Sequence, residues 1–174
     1  MILLVLLAVG AASAQPNTIN VFVVPHTHLD VGWVWPIDAV YEGYIKEIYS
    51  SVAIALSNNP LRTFICVEQV CADTGIRVCV IRVEPPRVLM GWCLPCTAVY
   101  QSRFEFVIGG WVMNDEAVSH YQANIDQMTL GHQFLADTFG VVPHFGWQID
   151  PFGASTSTAV LEAMMGFDGT VRVR

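Results

Sequence analysis

The chain has 174 residues, of which 53% are hydrophobic and only 13% charged, with a formal net charge of -7. That apolar content excludes a disordered chain, and the lack of clustered Lys and Arg excludes the phosphate-neutralising surface of a nucleic-acid binder. So few charges on a chain of this size point to a domain that is part of a larger body.

Residues 2–9 form an apolar run too short to span a bilayer, followed by Ala12-Ser13-Ala14, the small-x-small pattern of signal-peptide cleavage. Residues 1–14 are therefore read as a signal peptide and Gln15 as the mature start, which places the protein in the secretory pathway, lysosomal or secreted. No later run is long and apolar enough to serve as a membrane anchor. Five cysteines in an oxidising compartment leave at least one unpaired or bridged to another chain. The oligomeric state is left open.

Residues 19–24 read as a buried first strand, leading into His26-Thr27-His28-Leu29-Asp30-Val31-Gly32-Trp33. Alternation along a strand puts His26, His28 and Asp30 on one face at its carboxyl end. Imidazole and carboxylate are ligands that Zn²⁺ accepts in catalytic sites with an open position, although a polar strand end with solvated histidines fits the same spacing. Metal-dependent amidohydrolases also begin with such a motif, so it does not set the reaction class.

Ile37, Val40, Tyr41, Tyr44, Ile45, Ile48, Val52 and Leu56 then recur at three- and four-residue steps, the buried face of a helix that Asn58-Asn59-Pro60 stops. Residues 63–67 form a β-prone run ending at Glu68. Between 70 and 102 no period lasts, and Pro85-Pro86 and Pro95 interrupt. Residues 104–108 predict a strand ended by Gly109-Gly110, followed by a long helix with Ala117, Tyr121, Ile125, Met128, Phe134 and Leu135 on its apolar face, closing at Gly140. A further strand is expected at 145–149, turned by Asp150-Pro151-Phe152-Gly153, whose proline cannot continue a central ladder. Ser155 can cap the next helix, with Ala159, Val160, Ala163 and Met164 facing inward, before Gly166 and a last strand at 168–173. Alternating strands and helices predict an α/β architecture with parallel strands, a barrel or an open sheet. Chemistry in such folds sits beyond the carboxyl ends of strands, where His28, Asp30 and Asp150 converge. Trp33, Trp111 and Trp147 lie near the same ends and can serve as core or as platforms for a sugar ring, whereas His120, His132 and His144 read as structural.

Three motifs together, Val24-Pro25-His26-Thr27-His28-Leu29-Asp30-Val31-Gly32-Trp33, Glu105-Phe106-Val107-Ile108-Gly109-Gly110-Trp111-Val112-Met113-Asn114-Asp115-Glu116-Ala117 and Gly146-Trp147-Gln148-Ile149-Asp150-Pro151-Phe152-Gly153, resemble the class II α-mannosidases, glycoside hydrolase family 38. The branch is similar to the lysosomal and epididymis-specific enzymes, and the resemblance covers roughly residues 19–69 and 102–174. It implies that residues 15–174 are a partial catalytic domain, the start of a parallel β/α barrel-like domain incomplete in this chain, with 70–102 an atypical segment that points to a changed exon or reading frame. It further implies a zinc-dependent retaining enzyme acting on terminal α-linked mannose of N-glycans. His28, Asp30 and Asp150 would hold zinc, Asp150 would be the nucleophile, and Trp33 and Arg174 would contact the mannose-containing oligosaccharide. The family's general acid and its fourth ligand, a histidine, are expected downstream of residue 174. Two rival readings stand beside this one: a non-catalytic secreted fragment, and a thioredoxin-like disulfide oxidoreductase through Cys93 and Cys96 of Gly91-Trp92-Cys93-Leu94-Pro95-Cys96.

Overall fold

The computed structural model describes residues 19, 21–69 and 102–173. The expected signal peptide, the Cys93 and Cys96 pair, all of the atypical segment but Ser102, and Arg174 lie outside the described residues.

The first helical stretch runs as α1 (Ile37–Val40), a π turn (Tyr41–Ile45) and α2 (Lys46–Asn58), and Asn59 leaves it with extended backbone at φ -148°. The wide turn holds one more residue than an α turn, so the buried face slips in register. Tyr41, Ile45 and Tyr49 are buried, whereas Tyr44, expected on that face, is 46% exposed.

Strands β1 (Phe64–Cys66) and β2 (Phe104–Phe106) pair in parallel with Phe64 opposite Phe104, and β3 (Phe145–Gln148) pairs in parallel with β4 (Gly169–Arg172) with Trp147 opposite Val171. The Ile108 N–H donates to the Phe145 carbonyl at 2.7 Å and joins the two pairs, and His26 makes a parallel bridge with Ile65 on the far side of β1. Spatial neighbours therefore follow chain order, and the pairings of β1 with β2, of β3 with β4 and of His26 with Ile65 are parallel, as the alternation of elements predicts. The expected strand at 19–24 is different: pairing is confined to residues 25–27, through Thr27 N–H to Ile65 C=O and Ile65 N–H to Pro25 C=O, both 3.0 Å. β1 begins only at Phe64, and Ile19, Val21, Phe22 and Val23 remain exposed.

Two apolar clusters pack these strands, which leave Glu105 and Phe145 exposed and β4 half-buried. Cys66, Phe104 and Phe106 pack with Ile45, Tyr49, Leu56, Leu135 and Phe139 on the helical side. Val67, Val107, Ile108, Met128, Trp147 and Ile149 form a second cluster. The long helix α3 (Tyr121–Phe139) ends at Gly140 in the left-handed conformation, φ 65°, the cap expected there. Ala117 belongs to a turn ahead of it rather than to the helix. Close approach of α3 to the strand end explains two glycines: a Cβ on Gly131 would run into the Gly109 carbonyl and the Gly110 backbone, and Gly109 itself turns at φ +70°.

Helix α4 (Thr156–Met164) reverses the expected face. Val160 and Met164 are 53% and 79% exposed, and the buried residues are Thr158 and Glu162. Polar anchoring explains the inversion: Thr170 Oγ1 donates to Glu162 Oε2 at 2.6 Å and Arg172 Nη2 lies 3.6 Å from the same oxygen, so β4 draws the carboxylate inward. Ser155 occupies the cap with extended backbone, but its side chain makes no capping bond.

Candidate metal centre

Three side chains meet beyond the strand ends. His28 and Asp30 leave the stretch that bridges to β1, and Asp150 follows the end of β3. His28 Nε2 lies 3.6 Å from Asp30 Oδ1 and 3.3 Å from Asp150 Oδ2, and one donor atom from each residue falls within 4.8 Å of the others. Donors around a tetrahedral ion at about 2.0–2.1 Å stand about 3.3 Å from one another, close to the two His28 separations, and imidazole and carboxylate are ligand types that such an ion accepts. Asp30 and Asp150 are half-exposed and His28 is mostly covered, leaving one side open to solvent. The centre opens into a cavity of about 660 Å³ lined by His28, Asp30, Trp33, Glu68, Asn114 and Asp150 among others. That volume is within the range of small-molecule sites.

His26 stands outside the cluster. Its Nδ1 contacts the Thr27 carbonyl at 2.8 Å and its ring packs against Trp147 with centroids 5.2 Å apart. Strict alternation of 26, 28 and 30 fails because the chain pairs as a strand only around His26, and beyond it the Leu29 N–H bonds the Glu68 carboxyl instead of a neighbouring strand. Of the tryptophans, Trp33 is 71% exposed at the cavity rim, Trp147 is buried, and Trp111 packs edge-on against Phe134. His132 Nε2 contacts the Ile108 carbonyl at 2.9 Å, His120 Nδ1 accepts from Gln122 N–H, and His144 faces Asp168 at 3.6 Å, all away from the three donors.

Sequence reasoning missed the residues that support the centre. Glu68, just after β1, is fully buried and accepts the Leu29 N–H at 3.0 Å, between His28 and Asp30. Burial raises its pKa above the ordinary 4.5, while the Leu29 amide, the Thr27 hydroxyl and His28 pull the other way. The signal was a carboxylate ending an apolar strand run. From the loop after β2, Asn114 Oδ1 accepts from Gln148 Nε2 at 3.2 Å, and Glu116 accepts both the Ser155 N–H at 2.8 Å and the Arg172 guanidinium at 2.5 Å. These bonds grip the chain on either side of Asp150. Both residues lay inside a quoted motif, yet only the fold shows what they face.

The sequence profile of the glycosyl hydrolases family 38 N-terminal domain matches residues 18–74 and 96–174. The chain is 42% identical over 156 residues to an epididymis-specific alpha-mannosidase from Sus scrofa, covering 88% of this chain and 15% of that protein. It is 42% identical over 191 residues to a lysosomal alpha-mannosidase from Homo sapiens, covering 96% and 18%. Among solved structures, an alpha-mannosidase from Enterococcus faecalis V583 superposes with a TM-score of 0.68 at 18% identity, covering 86% of this chain and 16% of that one. The chain thus spans less than a fifth of the length of these proteins.

Proposed function

The chain belongs to glycosyl hydrolase family 38, and from that premise we propose that it carries the nucleophile and three zinc donors of a retaining α-mannosidase acting on terminal α-linked mannose of N-glycans. The observation that carries this reading is the convergence of His28 Nε2, Asp30 and Asp150 at donor spacing beside an open cavity. On this reading the parallel strands in chain order are one sector of a β/α barrel. The protein would work in the secretory pathway, in the lysosome or outside the cell, as the names of its relatives suggest.

Asp150 attacks the anomeric carbon; the bond to the leaving oxygen breaks and a covalent glycosyl-enzyme forms. The leaving oxygen takes its proton from a second carboxyl group, about 5 Å from the first in retaining enzymes, which the family resemblance places downstream of residue 174. His28, Asp30 and Asp150 would hold the zinc, which when bound grips sugar hydroxyls and favours the distorted ring of the transition state. Trp33 presents its indole face to the sugar at the rim, and Arg174 is a further candidate for substrate contact.

Asp150→Asn tests the assignment. In the chain expressed with its downstream sequence, hydrolysis of an aryl α-mannoside should fall by at least about 10³-fold while zinc, measured by elemental analysis, is retained. Undiminished turnover would refute the nucleophile. A centre with three protein donors also supports a second reading, binding of zinc and mannose without turnover. Wild-type protein that binds both and releases no mannose would establish it.

A further inference from the structure

We propose that Glu68 is the positioning residue of this centre, one carboxylate oxygen fixing the backbone between His28 and Asp30 and the other accepting the Nδ1–H of His28. The inference rests on the reading of His28 as a zinc donor. Three observations carry it. Glu68 Oε1 accepts the N–H of Leu29, the residue between the two donors, at 3.0 Å, so one bond restrains both of their backbones. Glu68 Oε2 is buried and has no hydrogen-bond partner. His28 Nδ1 is also buried and also lacks one.

A buried polar atom without a partner is costly, so two of opposite kind on side chains that line one cavity call for an explanation. Both side chains line the same cavity, and the Leu29 bond holds the Glu68 carboxyl one residue from His28. His28 Nε2 already faces Asp30 and Asp150. For Nε2 to offer its lone pair to a cation, the proton of the neutral ring must sit on Nδ1, and an acceptor there selects that tautomer and raises the basicity of Nε2. Glu68 is placed to be that acceptor. Thr27 adds rigidity from the same stretch of chain: its Oγ1 accepts the Val67 N–H at 2.8 Å and its hydroxyl stands beside the Glu68 carboxyl. Residues 27–29 are thereby tied to the end of β1 as a unit.

The carboxylate chemistry is specific, because two acceptor oxygens are needed. Glu68→Gln keeps the size and one acceptor, but its amide nitrogen can only donate. It can satisfy Leu29 N–H or His28 Nδ1–H, not both. The experiment measures zinc affinity of the full chain by competition with a chromophoric chelator, for wild type, His28→Ala and Glu68→Gln, together with the tautomer of His28 from ¹⁵N-histidine NMR of the zinc-loaded proteins. We expect Glu68→Gln to weaken zinc 10- to 100-fold and to abolish the protected Nδ1–H signal, with the metal-free unfolding midpoint showing that the fold persists. Wild type that takes up no zinc overturns the metal reading itself. Wild type and Glu68→Gln binding equally, with His28→Ala defective, overturns the role of Glu68 and leaves the metal reading standing. Should Glu68→Gln fail to fold, the zinc-loaded wild type decides: a protected proton on His28 Nδ1 supports the pair, and a rapidly exchanging one refutes it.

Discussion

Trp33 and Trp147 are the same residue type in two of the three motifs of one chain, yet they do opposite things. Trp147 belongs to the second core cluster and packs against the His26 ring, whereas Trp33 stands largely in solvent at the rim of the cavity that holds His28, Asp30 and Asp150. Val34, just after it, adopts φ 62°, a left-handed conformation that costs a β-branched residue about 1–2 kcal/mol, so the rim loop holds an unfavourable backbone at the point where the indole is displayed. On the proposed function, a sugar ring that covers one face of Trp33 removes apolar surface from water, worth about 1–2 kcal/mol. Trp33→Ala should therefore raise KM for an aryl α-mannoside roughly 5- to 30-fold. Because the side chain supports no core contact, the unfolding midpoint should stay unchanged. Steady-state kinetics beside a denaturant titration checks both halves, and a stability loss with unchanged KM would return Trp33 to a structural role.

Contacts between elements are where backbone demands override residue preference. α3 lies so close to the Gly109-Gly110 turn that Gly131, a poor helix residue, becomes the one that fits. Gly131→Ala improves helix propensity by about 1 kcal/mol but drives a methyl into the Gly109 carbonyl, so it should destabilise the chain by a net ~1–3 kcal/mol, measured by urea unfolding. A stabilised variant would show that the helix is free to shift. The order and type of these elements were legible: the periodicity of α2, the Asn59 stop, the Gly140 cap and the parallel strands all follow from local pattern. Three features were not. The π turn around Gly43 moved Tyr44 off the buried face, because one added residue per turn leaves no periodic trace. The strand expected at 19–24 has the composition but lacks a paired neighbour among the described residues. α4 turned its apolar side outward because Glu162 is claimed by Thr170 and Arg172, partners distant from it in pattern though close in space.

At the scale of the whole molecule, the site divides the same way. His28, Asp30 and Asp150 were legible because donor type and strand-end position coincide in short motifs, and the fold brings them together. Glu68 and Glu116 were not, since what marks them is burial against residues 39 positions away in the chain. Burial of this kind has a consequence for the domain as a unit. Desolvation raises the pKa of both Glu68 and Glu162 above the ordinary 4.5, in Glu162 against the opposing pull of Thr170 and Arg172. In the unfolded chain both carboxyls ionise around pH 4.5, whereas in the folded chain they keep their protons to higher pH. Over that window the folded state binds more protons than the unfolded state, so the slope of unfolding free energy with pH is negative. Their contribution is fully present below about pH 4.5 and is lost as pH rises through the folded values. The share of the urea midpoint that these two carboxyls supply in the metal-free domain should accordingly be greatest on the acidic side and fall as pH rises, read for Glu68 as the difference between wild type and Glu68→Gln. Glu68→Gln, which cannot ionise, should flatten the profile between pH 4.5 and 7.5, gaining on wild type as pH increases. Urea midpoints across that range, with zinc chelated, measure the slope directly. A Glu68→Gln profile parallel to wild type would mean that the folded chain ionises Glu68 as readily as the unfolded chain does.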